Sequence, residues 1–167
     1  MNLTKLNNLQ KTVLVIAGSD PSGGAGIQAD LKTLTSFGVY GMTAITALTE
    51  QNTNGVFDIL EIPIDFVVKQ INCCLSDINA NAVKIGMLHS ADLISAVLEA
   101  LFNNNIVSNK NVNIVLDPVM VAKGGHILLK ENAIDALKTF INVAQPIITP
   151  NIPEAEILTG IKINNLK

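Results

Sequence analysis

The sequence predicts an α/β protein with a mostly parallel β-sheet and helices on both faces of that sheet. Short runs rich in β-branched residues alternate with segments whose apolar residues recur at helical spacing. Several of the short runs are apolar on both faces, as buried parallel strands are. Strands and helices that alternate in this way form right-handed βαβ units. Because such sheets bind ligands beyond the carboxyl ends of their strands, we expect a functional site at that edge.

Six segments have the composition of buried strands, bounded by turn-forming residues. The predicted strands cover residues 12–17, 43–48, 56–62, 82–85, 113–116 and 146–149. We find no internal repeat, no low-complexity segment and no linker that divides the chain.

Five helices are predicted between and after these strands. The first carries Ile27, Leu31, Leu34 and Phe37 on one apolar face. Proline is favoured at a helix start, which places the second helix just after position 63, and the serine at position 90 suits the N-cap of the third. The last two helices are predicted over about 130–140 and from 152 to 158 or 159.

The composition argues against several classes of protein. Of the 167 residues, 49% are hydrophobic and 15% are charged, which suits a buried core rather than a disordered chain. The net charge is −3 without a basic run, so we expect no nucleic-acid or anionic-membrane partner. The longest apolar runs are far shorter than the roughly 20 residues of a membrane span. The polar segment 1–10 lacks the apolar core of a signal peptide, and we therefore expect a cytoplasmic protein.

The two cysteines, Cys73 and Cys74, are adjacent in the sequence. Neighbouring residues on a helix point about 100° apart, so this pair predicts neither a metal site nor a structural disulfide. We expect both to be small apolar residues of the core.

The most informative segment is AGSDPSGGAGIQAD, at residues 17–30. Its glycines let the backbone turn tightly and approach a ligand, and the helix that follows has free amide N–H groups at its positive end. A Walker phosphate loop is excluded because no Gly-Lys-Ser/Thr occurs. A dinucleotide fingerprint is disfavoured because its pattern, GAGIQA at 24–29, begins several residues after the strand ends.

This whole segment resembles the opening of the hydroxymethylpyrimidine and phosphomethylpyrimidine kinases of thiamin biosynthesis, which are ribokinase-like proteins. The resemblance continues in order along nearly the whole chain. The matching segments are TAITALTEQNT at 43–53, VKIGML at 83–88, VLDPVM at 115–120 and ITPNIPEAE at 148–156. It implies a ribokinase-like three-layer sandwich, incomplete at the C-terminus, in which residues 1–167 are the N-terminal, substrate-binding portion of a single kinase domain.

The resemblance implies an aminopyrimidine pocket in which Gln51 reads the edge of the ring. An amide can both donate and accept hydrogen bonds, as the edge of an aminopyrimidine requires. Met87 is implied to lie against the ring, where a polarizable thioether suits a flat face. The other residues implied for this pocket are Gly18, Asp30 and Val119, and residues 122–125 are implied to form a flap over it.

A second group of residues is implied for the side that binds magnesium and ATP: Asp117, Asn151 and Glu154. In such kinases the aspartate lies near the metal and phosphates, and the glutamate organises Mg²⁺ largely through water. Mg²⁺ keeps much of its water shell, so an outer-shell carboxylate is chemically sensible. Asparagine followed three residues later by glutamate is also a helix-capping arrangement, and the two roles are compatible. For Asp117, the alternative is a turn or cap residue. His89 and His126 receive no role.

The activity implied is transfer of the γ-phosphate of ATP to 4-amino-5-hydroxymethyl-2-methylpyrimidine and then to its monophosphate. The resemblance also implies a Gly-Thr-Gly loop that supplies the anion hole and the candidate base, and the 167 residues contain no Gly-Thr-Gly. We therefore assign no catalytic residue. Because phosphoryl transfer depends on positioning and electrostatic stabilisation, we expect a polypeptide of these residues alone to be inactive.

Two alternatives stay open. A pyridoxal kinase binds a similar flat ring, although Gln51 and the SDPSGG loop at 19–24 favour the pyrimidine. A non-catalytic pyrimidine-binding or regulatory protein is favoured by the absence of the Gly-Thr-Gly loop. The intact kinases are implied to be homodimers, whereas we expect these 167 residues alone to form an association-prone domain, because a parallel sheet needs both faces covered and its edges protected.

Overall fold

The computed structural model of the chain describes residues 10–120 and 131–164. The predicted flap at 122–125, His126, residue 130 and almost all of the polar N-terminal segment lie outside the described residues. Six strands form one sheet in the order β3-β2-β1-β4-β5-β6. Their bounds are β1 Thr12–Ser19, β2 Tyr40–Asn52, β3 Gly55–Glu61, β4 Ala82–Ile85, β5 Asn113–Leu116 and β6 Ile147–Ile148.

Every neighbouring pair of strands is parallel except β2 and β3, which are antiparallel. The mostly parallel sheet is therefore confirmed. β2 is much longer than predicted, because it continues past residue 48 into a hairpin with β3 in which Glu50 pairs with Asp58 and Gln51 with Val56. The sequence did not predict this extension, because its residues are polar. They can be polar because the hairpin is less buried than the centre of the sheet.

The described residues contain helices at all five predicted places. They are α1 Gly26–Ser36, α2 Ile64–Asp77, α3 Ala91–Asn103, α4 Ile134–Ala144 and α5 Ile152–Thr159. Pro63 directly precedes α2, and the Ser90 side chain accepts the Leu93 N–H at 3.3 Å as the N-cap of α3. No helix within residues 10–120 and 131–164 is long and apolar enough to cross a membrane.

The helices cover the two faces of the sheet unequally. Helices α2, α3 and α4 pack over one face, where alternate residues of the central strands, such as Leu14, Ile16 and Ile85, are fully buried. On the other face, α1 packs over β1 and β2 through Ile27 against Val15. Both faces therefore carry helix, as predicted. At the β6 edge Ile147 and Ile148 are exposed, and the expected tendency to associate in solution stays a prediction.

Two expectations for the core are wrong. Cys73 is exposed on α2, because the buried stripe of this helix runs through Val67 and Ile71, whereas Cys74 is half-buried and packs against the core as expected. Phe37 is 79% exposed. It lies just after the last turn of α1, where the chain reverses through Gly38 toward β2, so it does not continue the apolar face of the helix.

Candidate functional site

A cleft of about 400 Å³ opens at the carboxyl ends of β1, β2, β4 and β5. Its walls are the glycine-rich loop after β1, the first turn of α1, the end of β2 and the segments that follow β4 and β5. This is the edge of the sheet at which a ligand site was expected. Six of the predicted site residues line this cleft: Gly18, Asp30, Gln51, Met87, Asp117 and Val119.

The buried carboxylate of Asp20 holds the glycine-rich loop in shape. It accepts hydrogen bonds from the backbone N–H groups of Ser22 at 2.8 Å, Gly24 at 3.0 Å and Ala25 at 2.8 Å, and from the Ser22 hydroxyl at 2.7 Å. Burial alone would raise the pKa of Asp20, but the hydrogen bonds from Ser22, Ala25 and Gly24 outweigh it and lower the pKa below its usual value. The carboxylate is therefore ionised at neutral pH and fixes the loop.

Two glycines allow the loop and its neighbours to lie close to β1. Gly26 has a positive φ of 55°, and a Cβ atom there would overlap the carbonyl oxygen of Gly18 and lie 3.2 Å from the backbone nitrogen of Asp20. At Gly18, a Cβ would lie 2.7 Å from the Cε methyl of Met87. The missing side chain at Gly18 therefore makes room for Met87, and Gly26 lets the loop close back on the strand.

Gln51 lies at the end of β2 and is tethered by Thr49. The Thr49 hydroxyl can donate its one hydrogen either to the carbonyl oxygen of Ser19 at 2.9 Å or to Oε1 of Gln51 at 3.0 Å. No group within the described part of the chain accepts a hydrogen bond from the side-chain NH₂ of Gln51. The amide is thus held in the cleft wall with donors left for a ligand.

Charged groups lie on the other side of β1 from Gln51, as the strand order requires. The Lys84 ammonium, on β4, donates to Oδ2 of Asp30, on α1, at 2.8 Å. Asp117 directly follows β5. Burial raises the pKa of Asp117, and the carboxylates of Glu154 and Asp30 add to this rise although the Lys84 ammonium opposes it. Ionisation of Asp117 is therefore less favourable than that of a free aspartate, and a cation bound nearby would favour it.

Asn151 and Glu154 lie at the N-terminus of α5 rather than in the wall of the cleft. The side-chain oxygen of Asn151 accepts the Glu154 N–H at 2.9 Å, and Oε2 of Glu154 accepts the Asn151 N–H at 2.9 Å. The capping role is therefore confirmed for both residues. Glu154 is buried and acts on Asp117 through its charge, so it is coupled to the cleft electrostatically.

The carboxylates suit a magnesium ion that keeps most of its water. In residues 10–120 and 131–164, no three or more His, Cys, Asp or Glu side chains are grouped so that they could hold a metal by themselves. Mg²⁺ is usually bound through one or two carboxylates, and water and substrate phosphate oxygens complete its octahedron. Asp117 with Glu154 behind it fits that pattern, and the role in metal binding stays a prediction.

Sequence reasoning missed three residues of this site. The sequence patterns give no role to Asp20 in the glycine-rich loop, to Thr49 in the segment 43–53 or to Lys84 in the strand at 82–85. The sequence does contain a signal for Lys84, because this lysine stands inside a short apolar run, residues 82–85, that predicts a central strand. A lysine at such a position of a central strand is rare unless it is paired.

The raised pKa of Asp117 leads to a prediction about stability. Because this pKa is higher in the folded protein than in the unfolded chain, ionisation of Asp117 lowers the free energy of unfolding as the pH rises through the two values. We expect Asp117→Asn to raise that free energy at pH 7 by the order of 0.5–1 kcal/mol, and the gain to vanish toward the acidic range in which both proteins are neutral at this position.

Thermal unfolding of the two proteins across this pH range measures the effect. Asp92→Asn is the matched control, because Asp92 is exposed in the first turn of α3, where a negative charge is favourable. Its substitution should lower stability slightly. An Asp117→Asn protein that is less stable than the wild type at pH 7 would contradict the prediction.

The family model and the more similar relatives point to one family. A family model described as phosphomethylpyrimidine kinase matches residues 20–167. The hydroxymethylpyrimidine/phosphomethylpyrimidine kinase of Haemophilus influenzae is 50% identical over 153 residues, which cover 92% of this chain and 55% of that protein. The crystal structure of phosphomethylpyrimidine kinase from Clostridium difficile 630 superposes with a TM-score of 0.83 at 49% identity, over 93% of this chain and 65% of the other.

A second group of similar structures is more distant in sequence. The pyridoxal kinase from Staphylococcus aureus in complex with AMP-PCP and pyridoxal has a TM-score of 0.79 and 35% identity, over 95% of this chain and 55% of the other. The chain spans about half the length of the curated relatives it matches.

Proposed function

Because the chain belongs to the phosphomethylpyrimidine kinase family, we propose that it carries the substrate-binding portion of an enzyme that phosphorylates 4-amino-5-hydroxymethyl-2-methylpyrimidine and then its monophosphate. ATP is the phosphate donor in this proposal, and the 167 residues are the N-terminal portion of a single ribokinase-like domain. The observation that carries it is the cleft that combines the amide of Gln51, the thioether of Met87 and an acidic end at Asp30 and Asp117.

The aminopyrimidine ring is held between polar and apolar walls. Gln51 donates its free N–H groups to the ring edge and can accept from the exocyclic amine, while Thr49 holds the amide in place. Met87 and Val119 supply apolar contact with the ring. Gly18 belongs to this pocket because it leaves the space that Met87 occupies.

The charged end of the cleft meets the hydroxymethyl group and the nucleotide phosphates. Asp30 orients the hydroxyl that is to be phosphorylated. Asp117 and Glu154 hold Mg²⁺, largely through water, and Asn151 fixes the position of Glu154 by capping α5. When bound, Mg²⁺ supplies charge neutralisation for the transferring phosphoryl group.

The alternative activity, phosphorylation of pyridoxal, has weaker support, because the similar pyridoxal kinases are 35–36% identical to this chain, whereas the bacterial pyrimidine kinases are 41–50% identical. An assay of ATP-dependent phosphorylation with the 167-residue polypeptide distinguishes a non-catalytic role from a catalytic one. Turnover comparable with that of a full-length relative would contradict the expected inactivity. Homodimerisation of the full-length enzyme and a cytoplasmic location belong to the same proposal.

Substitution of Gln51 tests the proposed ring recognition. We expect Gln51→Leu to bind the pyrimidine alcohol about five- to 150-fold more weakly than the wild type, because an unmade buried hydrogen bond costs about 1–3 kcal/mol. Isothermal titration calorimetry with the pyrimidine alcohol, and with pyridoxal as competitor, measures this loss.

Gln10→Leu is the matched control, because the Gln10 side chain donates to the carbonyl oxygen of Gly38 at the amino ends of β1 and β2, away from the cleft. The affinity of this variant for the pyrimidine alcohol should equal that of the wild type. Unchanged affinity in a folded Gln51→Leu protein would place ring recognition elsewhere. Tighter binding of pyridoxal than of the pyrimidine by the wild type would favour the alternative activity.

A further inference from the structure

We propose that Lys84 is a specificity-determining residue whose ammonium binds the phosphate of the pyrimidine monophosphate, so that one cleft accepts both the alcohol and its phosphate monoester. The inference rests on the proposed function and deepens it. Four features of the cleft carry it: its charge, the state of its loop amides, the anchoring of Lys84 and the donors that Lys84 retains.

The negative charge of the cleft opposes binding of the second substrate, the monophosphate. A phosphate monoester carries a charge of about −1.5 to −2 near neutral pH. Among the described residues that line the cleft, Asp20, Asp30 and Asp117 are acidic, and Lys84 is the one cationic side chain. Glu154 adds a further negative charge behind Asp117. A monoester therefore meets unfavourable negative charge from these carboxylates, and Lys84 is the cationic side chain among the described lining residues that can offset it.

The glycine-rich loop does not supply the anion site that its composition suggests. The backbone N–H groups of Ser22, Gly24 and Ala25 are bonded to the Asp20 carboxylate, and the N–H of Gly23 is bonded to the Asp20 carbonyl oxygen. An internal carboxylate thus occupies the position that a phosphate takes in a phosphate-binding loop. The donor for an external phosphate has to come from another element.

Lys84 is anchored in the cleft rather than free in solvent. Its strand register places it on the α1 face of the sheet beside Val15, and its ammonium is held by Asp30. A Cβ atom at Gly86 would lie 3.1 Å from that ammonium and 3.0 Å from Cβ of Ala17. Gly86, which directly follows β4, therefore leaves the volume that the lysine side chain occupies.

The anchored ammonium keeps donors for a ligand. An ammonium has three N–H groups, and Asp30 accepts one of them. No other group in the described part of the chain accepts from the other two, and the Lys84 side chain is 25% exposed. The alcohol can bind with the Asp30–Lys84 pair unchanged, whereas the monoester engages the remaining N–H groups. Loss of Lys84 should therefore act on the monoester selectively.

The experiment compares the affinity of the two ligands in a charge-deleted variant. Calorimetry on wild type and Lys84→Met uses the pyrimidine alcohol and its monophosphate as probes. We expect monophosphate affinity to fall about ten- to a hundredfold, as for loss of a charged hydrogen bond, and alcohol affinity to fall much less, because the alcohol leaves the remaining N–H groups of the ammonium unused. Lys69→Met, which removes the same charge from an exposed pair on α2, should leave both affinities unchanged.

A second variant covers the case in which Lys84→Met fails to fold because Asp30 has lost its partner. Lys84→Gln keeps a neutral N–H donor for Asp30, and we expect the same selective loss. Equal losses for both ligands, or unchanged monophosphate binding in either folded variant, overturn the inference. If the wild type binds the alcohol but not the monophosphate, only the inference about Lys84 is overturned. If it binds neither ligand, the proposed function is overturned as well.

The wild type supplies a readout that does not depend on folding of any variant. If a charged contact holds the monophosphate, added salt should weaken its binding more than that of the alcohol, because salt screens charge–charge contacts. Equal salt dependence of the two affinities would count against Lys84.

Discussion

A Gly26→Ala protein is expected to bind the pyrimidine about a hundredfold more weakly than the wild type. A residue with a side chain pays about 1–2 kcal/mol in the left-handed conformation that Gly26 adopts. Its Cβ atom would also overlap the carbonyl oxygen of Gly18, and overpacking typically costs a further 1–3 kcal/mol. Because the atoms in the way are backbone, the loop has to open, and ligand binding has to close it again.

Gly38→Ala is the matched control for this prediction. Gly38 also has a positive φ, 68°, but a Cβ atom there meets nothing within 4 Å. We expect this variant to lose about 1 kcal/mol of stability and no affinity. Calorimetry and thermal unfolding measure both quantities. Wild-type affinity in Gly26→Ala would show that the closed loop is not required for binding.

The second large effect is expected for Asp20→Ala, which should lower the free energy of unfolding by about 3 kcal/mol or more. The substitution removes a buried carboxylate and leaves three backbone N–H groups and one hydroxyl without their acceptor. Ser22→Ala removes only the bond from the hydroxyl and should cost about 1 kcal/mol. Denaturant unfolding of the three proteins measures the difference, and similar losses in the two variants would contradict the assigned role of Asp20.

The lowered pKa of Asp20 adds a pH signature to this prediction. Because the pKa is lower in the folded protein than in the unfolded chain, the stabilisation by this carboxylate is fully present above the unfolded value and is lost as the pH falls through the folded value. The stability difference between wild type and Asp20→Asn should therefore be constant near neutrality and shrink below about pH 4. A difference independent of pH down to strongly acidic conditions would show that Asp20 is not ionised in the loop.

The alternation of strands and helices was predictable because each depends on local patterns. The strands at 82–85 and 113–116 match the structure in full, since short runs rich in β-branched residues favour the extended conformation. The helix starts at Pro63 and Ser90 were equally predictable, because the residues of a single helical turn decide where a helix begins. The long hairpin of β2 and β3 was not predictable, because the residues around Gln51 are polar and only partly buried. They are strand residues because they pair with β3.

The candidate site was predictable where it follows from topology. Gly18, Gln51, Met87 and Asp117 come after or near the ends of different strands, and the carboxyl ends of parallel strands meet at one edge of a sheet. These four residues line one cleft in the structure. Asn151 and Glu154 come after β6, and their own capping contacts keep them at the start of α5.

The sequence by itself determined the fold class, the end of the strands at which the candidate cleft lies and the family to which the chain belongs, because these depend on patterns within short segments. Only the tertiary structure decided which charges meet. Asp30 and Lys84 are 54 residues apart in the chain and come together because α1 packs over β1 next to β4. It also decided that the Asp20 carboxylate accepts hydrogen bonds from the N–H groups of its own loop. These bonds depend on the backbone conformation of the loop, which a glycine-rich sequence permits but does not specify.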